Sequence, residues 1–174
     1  GELFLLTNKP RLLVANVGED ALPDGGPLAG RVARRAVQEG SQAVVVCAEC
    51  EASLAEWPPA EAAAYRAELG LSESGLNRLV RASYALLDLI TFFTVTGGEV
   101  VRAWTLRRGL TAWHAAGLVH TDIQRGFIRA DVVPCAELLA TGSLSLVREA
   151  GKLRSEGRDY VVADGDVIHI HFAG

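Results

Sequence analysis

The sequence predicts an α/β fold in two parts, and three observations carry it. Two apolar runs flank a helical segment in the first half, at the spacing of a strand–helix–strand unit. A period of two then opens the second half with two strands around a Gly-Gly turn. Short helical stretches and a closing pair of strand-like runs follow, as in a small mixed sheet crossed by a helix.

In the first part, Arg11 to Val17 is apolar without alternation after Lys9-Pro10, as expected of a strand covered on both faces. Leu22 to Pro27 reads as a loop, and Ala29 to Glu39 as a helix with Val32, Ala33, Ala36 and Val37 on one face, stopped by Gly40. Ala43 to Cys47 is the second strand, completing a βαβ unit of the doubly wound kind. From Ala52 the pattern is mainly helical: Trp57-Pro58-Pro59 ends one helix, Glu61 to Leu69 forms a second and Ser74 to Leu87 a third. Two strands are less than a sheet. The absence of Met and the opening Gly1 agree with a fragment of a longer protein.

In the second part, Thr91 to Thr96 and Glu99 to Leu106 read as a hairpin turning at Gly97-Gly98. Thr111 can cap a helix through Leu118, and Phe127 to Val133 is a strand. Two short helices occupy Cys135 to Ala150, and Tyr160 to Val162 with Val167 to Phe172 read as a closing hairpin about Ala163 to Asp166. This succession is the β-grasp pattern of ubiquitin-like domains. The expected boundary gives residues 1–87 and 88–174.

At 49% apolar and 22% charged, both parts can bury a core. The net charge of −4 is spread over both, with 8 basic and 11 acidic residues up to Leu87 and 9 and 10 beyond it. No general polyanion-binding surface follows, so DNA is not an expected partner, and RNA contact needs a local arginine patch. The apolar runs fall short of a membrane span. Three cysteines make no disulfide framework, which agrees with a cytoplasmic protein.

Five constellations could carry chemistry. Asn16-Val17-Gly18-Glu19 lies at the carboxyl end of the first strand, where open α/β sheets bind ligands. The Asn amide offers a donor and an acceptor, suited to an adenine edge, and Glu19 could add a contact; the plain alternative is a pair of turn residues. Cys47-Ala48 ends the next strand, where a small side chain lets backbone N–H groups approach a base. Cys47-Ala48-Glu49-Cys50 is also a C-x-x-C between strand and helix, the setting of a thiol redox pair, although Glu49 and Glu51 disfavour a thiolate. His169 and His171 share a strand face without a third metal ligand, and His120 and Asp122 lack a nucleophile, so a hydrogen-bonded joint is the simpler reading of that pair. Arg102, Arg107, Arg108, Arg125 and Arg129 with Trp104 form either a face for RNA phosphates and stacked bases or a solvated edge.

Taken in order, Thr7 to Pro10, Val14 to Glu19, Glu73 to Leu76, Val101 to Thr105, His120 to Asp122, Arg125 to Ala130, Asp159 to Val162 and Asp164 to Ile168 resemble the Obg-like, YchF-type ribosome-binding ATPases of the P-loop GTPase superfamily, over nearly the whole chain. The resemblance implies the last portion of a P-loop nucleotide-binding (G) domain in residues 1–87 and a TGS domain of β-grasp fold in 88–174. The phosphate loop and Mg²⁺ ligands of such proteins belong to a preceding half, and this sequence carries no G-x-x-x-x-G-K-[ST]. The family's N-x-x-E, in place of the N-K-x-D of GTPases, is linked to ATP over GTP; Asn16, Val17 and Glu19 match it, and Cys47-Ala48 match the base-holding strand end. The implied function is nucleotide binding coupled to the ribosome, with hydrolysis in the preceding half. A stand-alone β-grasp adaptor is the rival. Leu110-Thr111-Ala112-Trp113-His114 departs from the usual Thr-Lys-Ala-Pro-Gln and removes a lysine from the second part.

Overall fold

The computed structural model describes residues 5, 8–96 and 100–174, in two compact units, Gly1–Leu87 and Asp88–Gly174. The expected Gly97-Gly98 turn lies outside the described residues.

In the first unit, β1 (Leu12–Asn16) and β2 (Gln42–Val46) run parallel, in register from Leu12 opposite Gln42 to Asn16 opposite Val46. Helix α1 (Gly26–Gln38) joins them and buries Ala29 and Ala36. It begins inside the stretch expected to be loop. Pro27 fits the first turn, where no amide hydrogen is needed, and Gly25 holds a left-handed φ of 80°. Only Gly fits there, because a Cβ would stand 2.5 Å from the Ala29 Cβ and 2.9 Å from the Val45 side chain.

Helix α2 (Ala48–Leu54) starts directly after β2, four residues earlier than expected, and the Cys47 sulfur accepts the Cys50 N–H at 3.4 Å as its cap. Helices α3 (Pro59–Glu68) and α4 (Gly75–Leu86) follow, the latter capped by Ser74 Oγ accepting from the Asn77 N–H at 3.0 Å. The Glu51 carboxylate accepts the Gly75 N–H at 2.6 Å, tying α2 to the start of α4.

The second unit is a five-stranded mixed sheet. Strands β3 (Leu89–Thr96) and β4 (Val100–Arg107) pair antiparallel. Helices α5 (Ala112–Val119) and α6 (Thr121–Arg125) lead to β5 (Phe127–Pro134); α7 (Cys135–Thr141) and α8 (Leu144–Glu149) lead to β6 (Arg154–Glu156), and β7 (Asp166–Phe172) comes last. The order is β4-β3-β7-β5-β6, with β7 parallel to β3 and antiparallel to β5. Alternation gives each face its own core. Ile90, Phe92, Leu106, Val132 and Ile168 pack with Ala112 and Ala115 of α5 on one side. Val133, Val147 and Val167 pack with Phe93, Leu138 and Leu144 on the other.

The expected closing hairpin is not formed. Val161 bridges Thr111, and β7 inserts between β3 and β5. An Asp-Gly turn between two apolar runs has the local signature of a hairpin, but Val162 buries itself in the α5 side of the core and leaves the pairing of β7 to β3 and β5.

Candidate functional site

The parallel pairing brings two of the sequence motifs together. Asn16 ends β1, and its Oδ1 accepts the N–H of Ala48 at 3.0 Å, just past the end of β2. The neighbouring Val17 N–H donates to the Val46 carbonyl at 2.9 Å, continuing the ladder by one bond. Asn16 and Ala48 are exposed, whereas Cys47 is buried beneath them. The Asn16 amide oxygen keeps a second lone pair and its NH₂ both donors, so this strand end can still face a ligand edge.

Glu19 lies in a single 3-10 turn, Glu19–Ala21, after β1. Its Oε1 accepts the Tyr65 hydroxyl at 2.6 Å, and its Oε2 accepts the Cys50 thiol at 3.3 Å. The hydrogen bond from Tyr65, and then that from Cys50, hold the Glu19 carboxyl below the usual carboxylate range. The phenol responds in the opposite sense, and its titration is raised chiefly by the bond to Glu19. Burial, followed by contact with Cys47 and Glu19, pushes the Cys50 thiol up to about 12. A cavity of about 380 Å³ opens beside this group, walled by Glu19, Glu49, Cys50, Leu54, Trp57 and Tyr65. The Trp57 and Tyr65 rings meet at 5.5 Å and 50° on its wall. The sequence motifs do not reveal Tyr65 and Cys50 as partners of Glu19, nor Trp57 beside Tyr65: Tyr65 lies 46 positions from Glu19, and no local pattern marks it.

The six candidates of the second unit do not form one surface. Trp104 is on the core side of β4, stacked on Phe92 at 6.5 Å and 17°, with its N–H donated to Thr94 Oγ1 at 2.9 Å. That geometry argues against an open stacking platform, because an indole beside buried Leu106 satisfies its N–H within the sheet. Arg102 shares the Trp104 side of the strand by alternation, and Arg107 takes the other. Arg108 pairs with Asp88 at 3.1 Å, Arg125 with Asp122 at 3.6 Å and Arg129 with Asp131 at 3.7 Å. Among the described residues, no carboxylate lies within ion-pair distance of Arg102 or Arg107, and both are exposed.

The remaining constellations have local roles. His171 Nε2 meets Asp131 Oδ2 at 2.8 Å, with the His169 ring edge-on at 4.9 Å. Among the described residues, no group of three or more His, Cys, Asp or Glu side chains is placed to hold a metal ion. His120 Nδ1 accepts the Asp122 N–H at 3.2 Å, closing the α5–α6 joint. No described helix is long and apolar enough to cross a membrane.

Residues 89–173 match a family model named YchF-GTPase_C and described as a protein of unknown function (DUF933). The chain is 47% identical over 173 residues to the ribosome-binding ATPase YchF of Bacillus subtilis (strain 168), covering 98% of this chain and 47% of that protein. It is 46% identical over 167 residues to the protein of the same name from Haemophilus influenzae, covering 96% and 46%. Among solved structures, it is similar to the YchF GTPase of Schizosaccharomyces pombe, with a TM-score of 0.82, 29% identity, and coverage of 96% of this chain and 44% of that one. The chain belongs to the YchF family. It spans about half the length of the curated YchF relatives it matches. The mixed α/β architecture is that of its YchF structural neighbours.

Proposed function

We propose that this YchF-family chain contributes two modules to a ribosome-associated nucleotide-binding protein. Residues 1–87 form the C-terminal portion of a P-loop G domain in which Asn16, Val17, Glu19, Cys47 and Ala48 hold the base of ATP. Residues 88–174 form a TGS-type β-grasp domain that contacts the ribosome. The observation that carries the first part is the Asn16–Ala48 hydrogen bond, which joins two strand ends into one ligand-facing edge with ionised Glu19 in the next turn. The strand order of the second unit supports the β-grasp assignment, and the similarity to ribosome-binding ATPases supports ribosome binding.

The donor set fits a base edge better than a phosphate or a metal. The Asn16 amide can donate and accept, and a carboxylate acceptor at Glu19 suits an exocyclic amine. Mg²⁺ bound with the nucleotide supplies charge neutralisation to phosphoryl transfer. On this reading, its ligands and the phosphate cradle belong to other parts of the full-length protein, and this chain supplies base selectivity.

The test uses the full-length protein carrying this chain. Combining Glu19→Asp with Val17→Lys restores N-K-x-D and is expected to shift relative affinity from ATP toward GTP, read by displacement of a fluorescent nucleotide. Because the shorter side chain also withdraws from Tyr65 and Cys50, Tyr65→Phe serves as the control that loosens Glu19 at constant length. An unchanged ATP-to-GTP affinity ratio in the double variant would show that Glu19 does not read the base.

A further inference from the structure

The C-x-x-C segment is placed where a covalent change reaches the candidate base site. Cys47 closes β2 and Cys50 lies in the first turn of α2; both are buried, and neither is bonded in a disulfide. Their sulfurs stand 2.9 Å apart, and a disulfide needs about 2.0 Å, so oxidation asks for little backbone movement. Cys50 also walls the cavity that Glu19 borders, which gives a small oxidant an approach. The flanking acids are not aimed at the pair in equal measure: Glu51 is turned to the Gly75 N–H at 2.6 Å and to Arg66 at 3.8 Å. Finally, the Cys50 thiol donates to Glu19 Oε2, so the thiol pair is the next link after Tyr65 and Glu19 in one chain of contacts.

We propose that Cys47 and Cys50 form a reversible disulfide and that its formation releases one oxygen of Glu19. The oxidant class is a low-molecular-weight disulfide such as oxidised glutathione. One cysteine sulfur attacks a glutathione sulfur as its proton leaves, the glutathione S–S bond breaks, and a first glutathione thiolate departs. The second cysteine sulfur, losing its proton in turn, attacks the protein sulfur of the mixed disulfide, forms the Cys47–Cys50 bond and expels the second glutathione. Two electrons pass to the glutathione pair, and the two thiol protons end on the departing thiolates, giving two reduced glutathiones. A disulfide sulfur has no hydrogen to donate, so Glu19 Oε2 loses the Cys50 contact while Oε1 keeps Tyr65. The effect on nucleotide choice rests on the base-reading role proposed above; the disulfide itself does not.

The reduced chain is equilibrated with mixtures of oxidised and reduced glutathione, quenched with iodoacetamide and mapped by mass spectrometry without reduction. The expected product is lighter by two hydrogens, carries one Cys47–Cys50 linked peptide, keeps Cys135 alkylatable and returns to three alkylatable thiols in dithiothreitol. Single glutathionylation at either residue, or intermolecular dimers without the internal link, would overturn the proposal. Cys47→Ser and Cys50→Ser should each abolish the two-hydrogen loss; the wild-type map decides the question even if a variant folds poorly. Carboxylate release is read separately by carbon NMR of the Glu19 side chain, whose titration should move up toward the ordinary range on oxidation. An unmoved titration with the disulfide formed overturns the release. In the full-length protein, oxidation should change the ATP-to-GTP affinity ratio. If the disulfide and the carboxylate shift are both present without that change, base reading by Glu19 fails and the thiol chemistry stands.

Discussion

Glu19 is an exposed carboxylate whose behaviour is set by two neutral donors rather than by a cation. Tyr65 is the larger influence and Cys50 the smaller, and both favour the ionised form. A carboxyl with a depressed folded-state titration adds stability that is present above its unfolded value and is lost as pH falls through the folded one. Removing the phenol should therefore narrow that acid-side window. Tyr65→Phe is expected to raise the Glu19 titration toward the ordinary range, with Cys50 supplying what depression remains; side-chain NMR across an acid titration checks this. The phenol follows the reverse rule. Its titration is raised, so its contribution is present below the unfolded value and is lost as pH rises through the folded one, and Glu19→Gln should bring the Tyr65 ultraviolet transition back down. Both outcomes are needed, because a contact seen by only one partner would not be the hydrogen bond at 2.6 Å.

At the level of elements, the sequence pattern located β1, α1, β2, α3, α4, β3, β4, α5, β5, α7, α8 and β7 to within a few residues. What it missed has identifiable causes. Strand β6 is Arg154–Glu156, three polar residues whose only strand-like property is a ladder with β5, so no local period reveals it. The start of α2 is masked because Cys47 and Cys50 read as chemistry rather than as a cap and a buried helical residue. Of the candidate site, Asn16 and Ala48 were legible as strand ends, but the partners of Glu19 depend on where α2 and α3 fold. Sequence also hid the reason for Gly126. Its φ is −86°, which any residue adopts, yet a Cβ would collide with the Ala173 carbonyl oxygen beside the Ala173 N–H to Gly126 carbonyl bond. Gly126→Ala should cost about 1–3 kcal/mol through this overpacking. Phe92→Ala, which empties a fully buried site against Trp104, should cost about 3–5 kcal/mol. Denaturant unfolding of each variant measures the two, and their order tests whether the interior matters more than the sheet end.

For the whole molecule, two expectations separate the modules. The chain by itself should hydrolyse neither ATP nor GTP, since phosphoryl transfer needs a phosphate cradle and a metal, and the sequence carries no phosphate-loop motif. Phosphate release above the buffer blank that survives repurification would contradict this. The ribosome contact proposed for the second unit should weaken as salt rises. Arg102→Ala should lower the slope of log affinity against log salt by about one, because no described carboxylate already neutralises Arg102, and Arg107→Ala, on the opposite side of β4, tests which side meets the ribosome. Co-sedimentation over a salt series reads the slope. The place of β7 in the sheet has a further bearing on how the protein is made. Asp166–Phe172 is made after the four other strands of this sheet, yet it divides β3 from β5, and both cores draw residues from it. A nascent chain synthesised through residue 165 holds Phe92, Phe93, Val132 and Val133 with no central strand to cover them. Closure must wait for contacts spanning most of the unit, a slow and aggregation-exposed kind of assembly. Until those seven residues emerge the unit lacks its central strand, and premature termination at 165 should yield insoluble product.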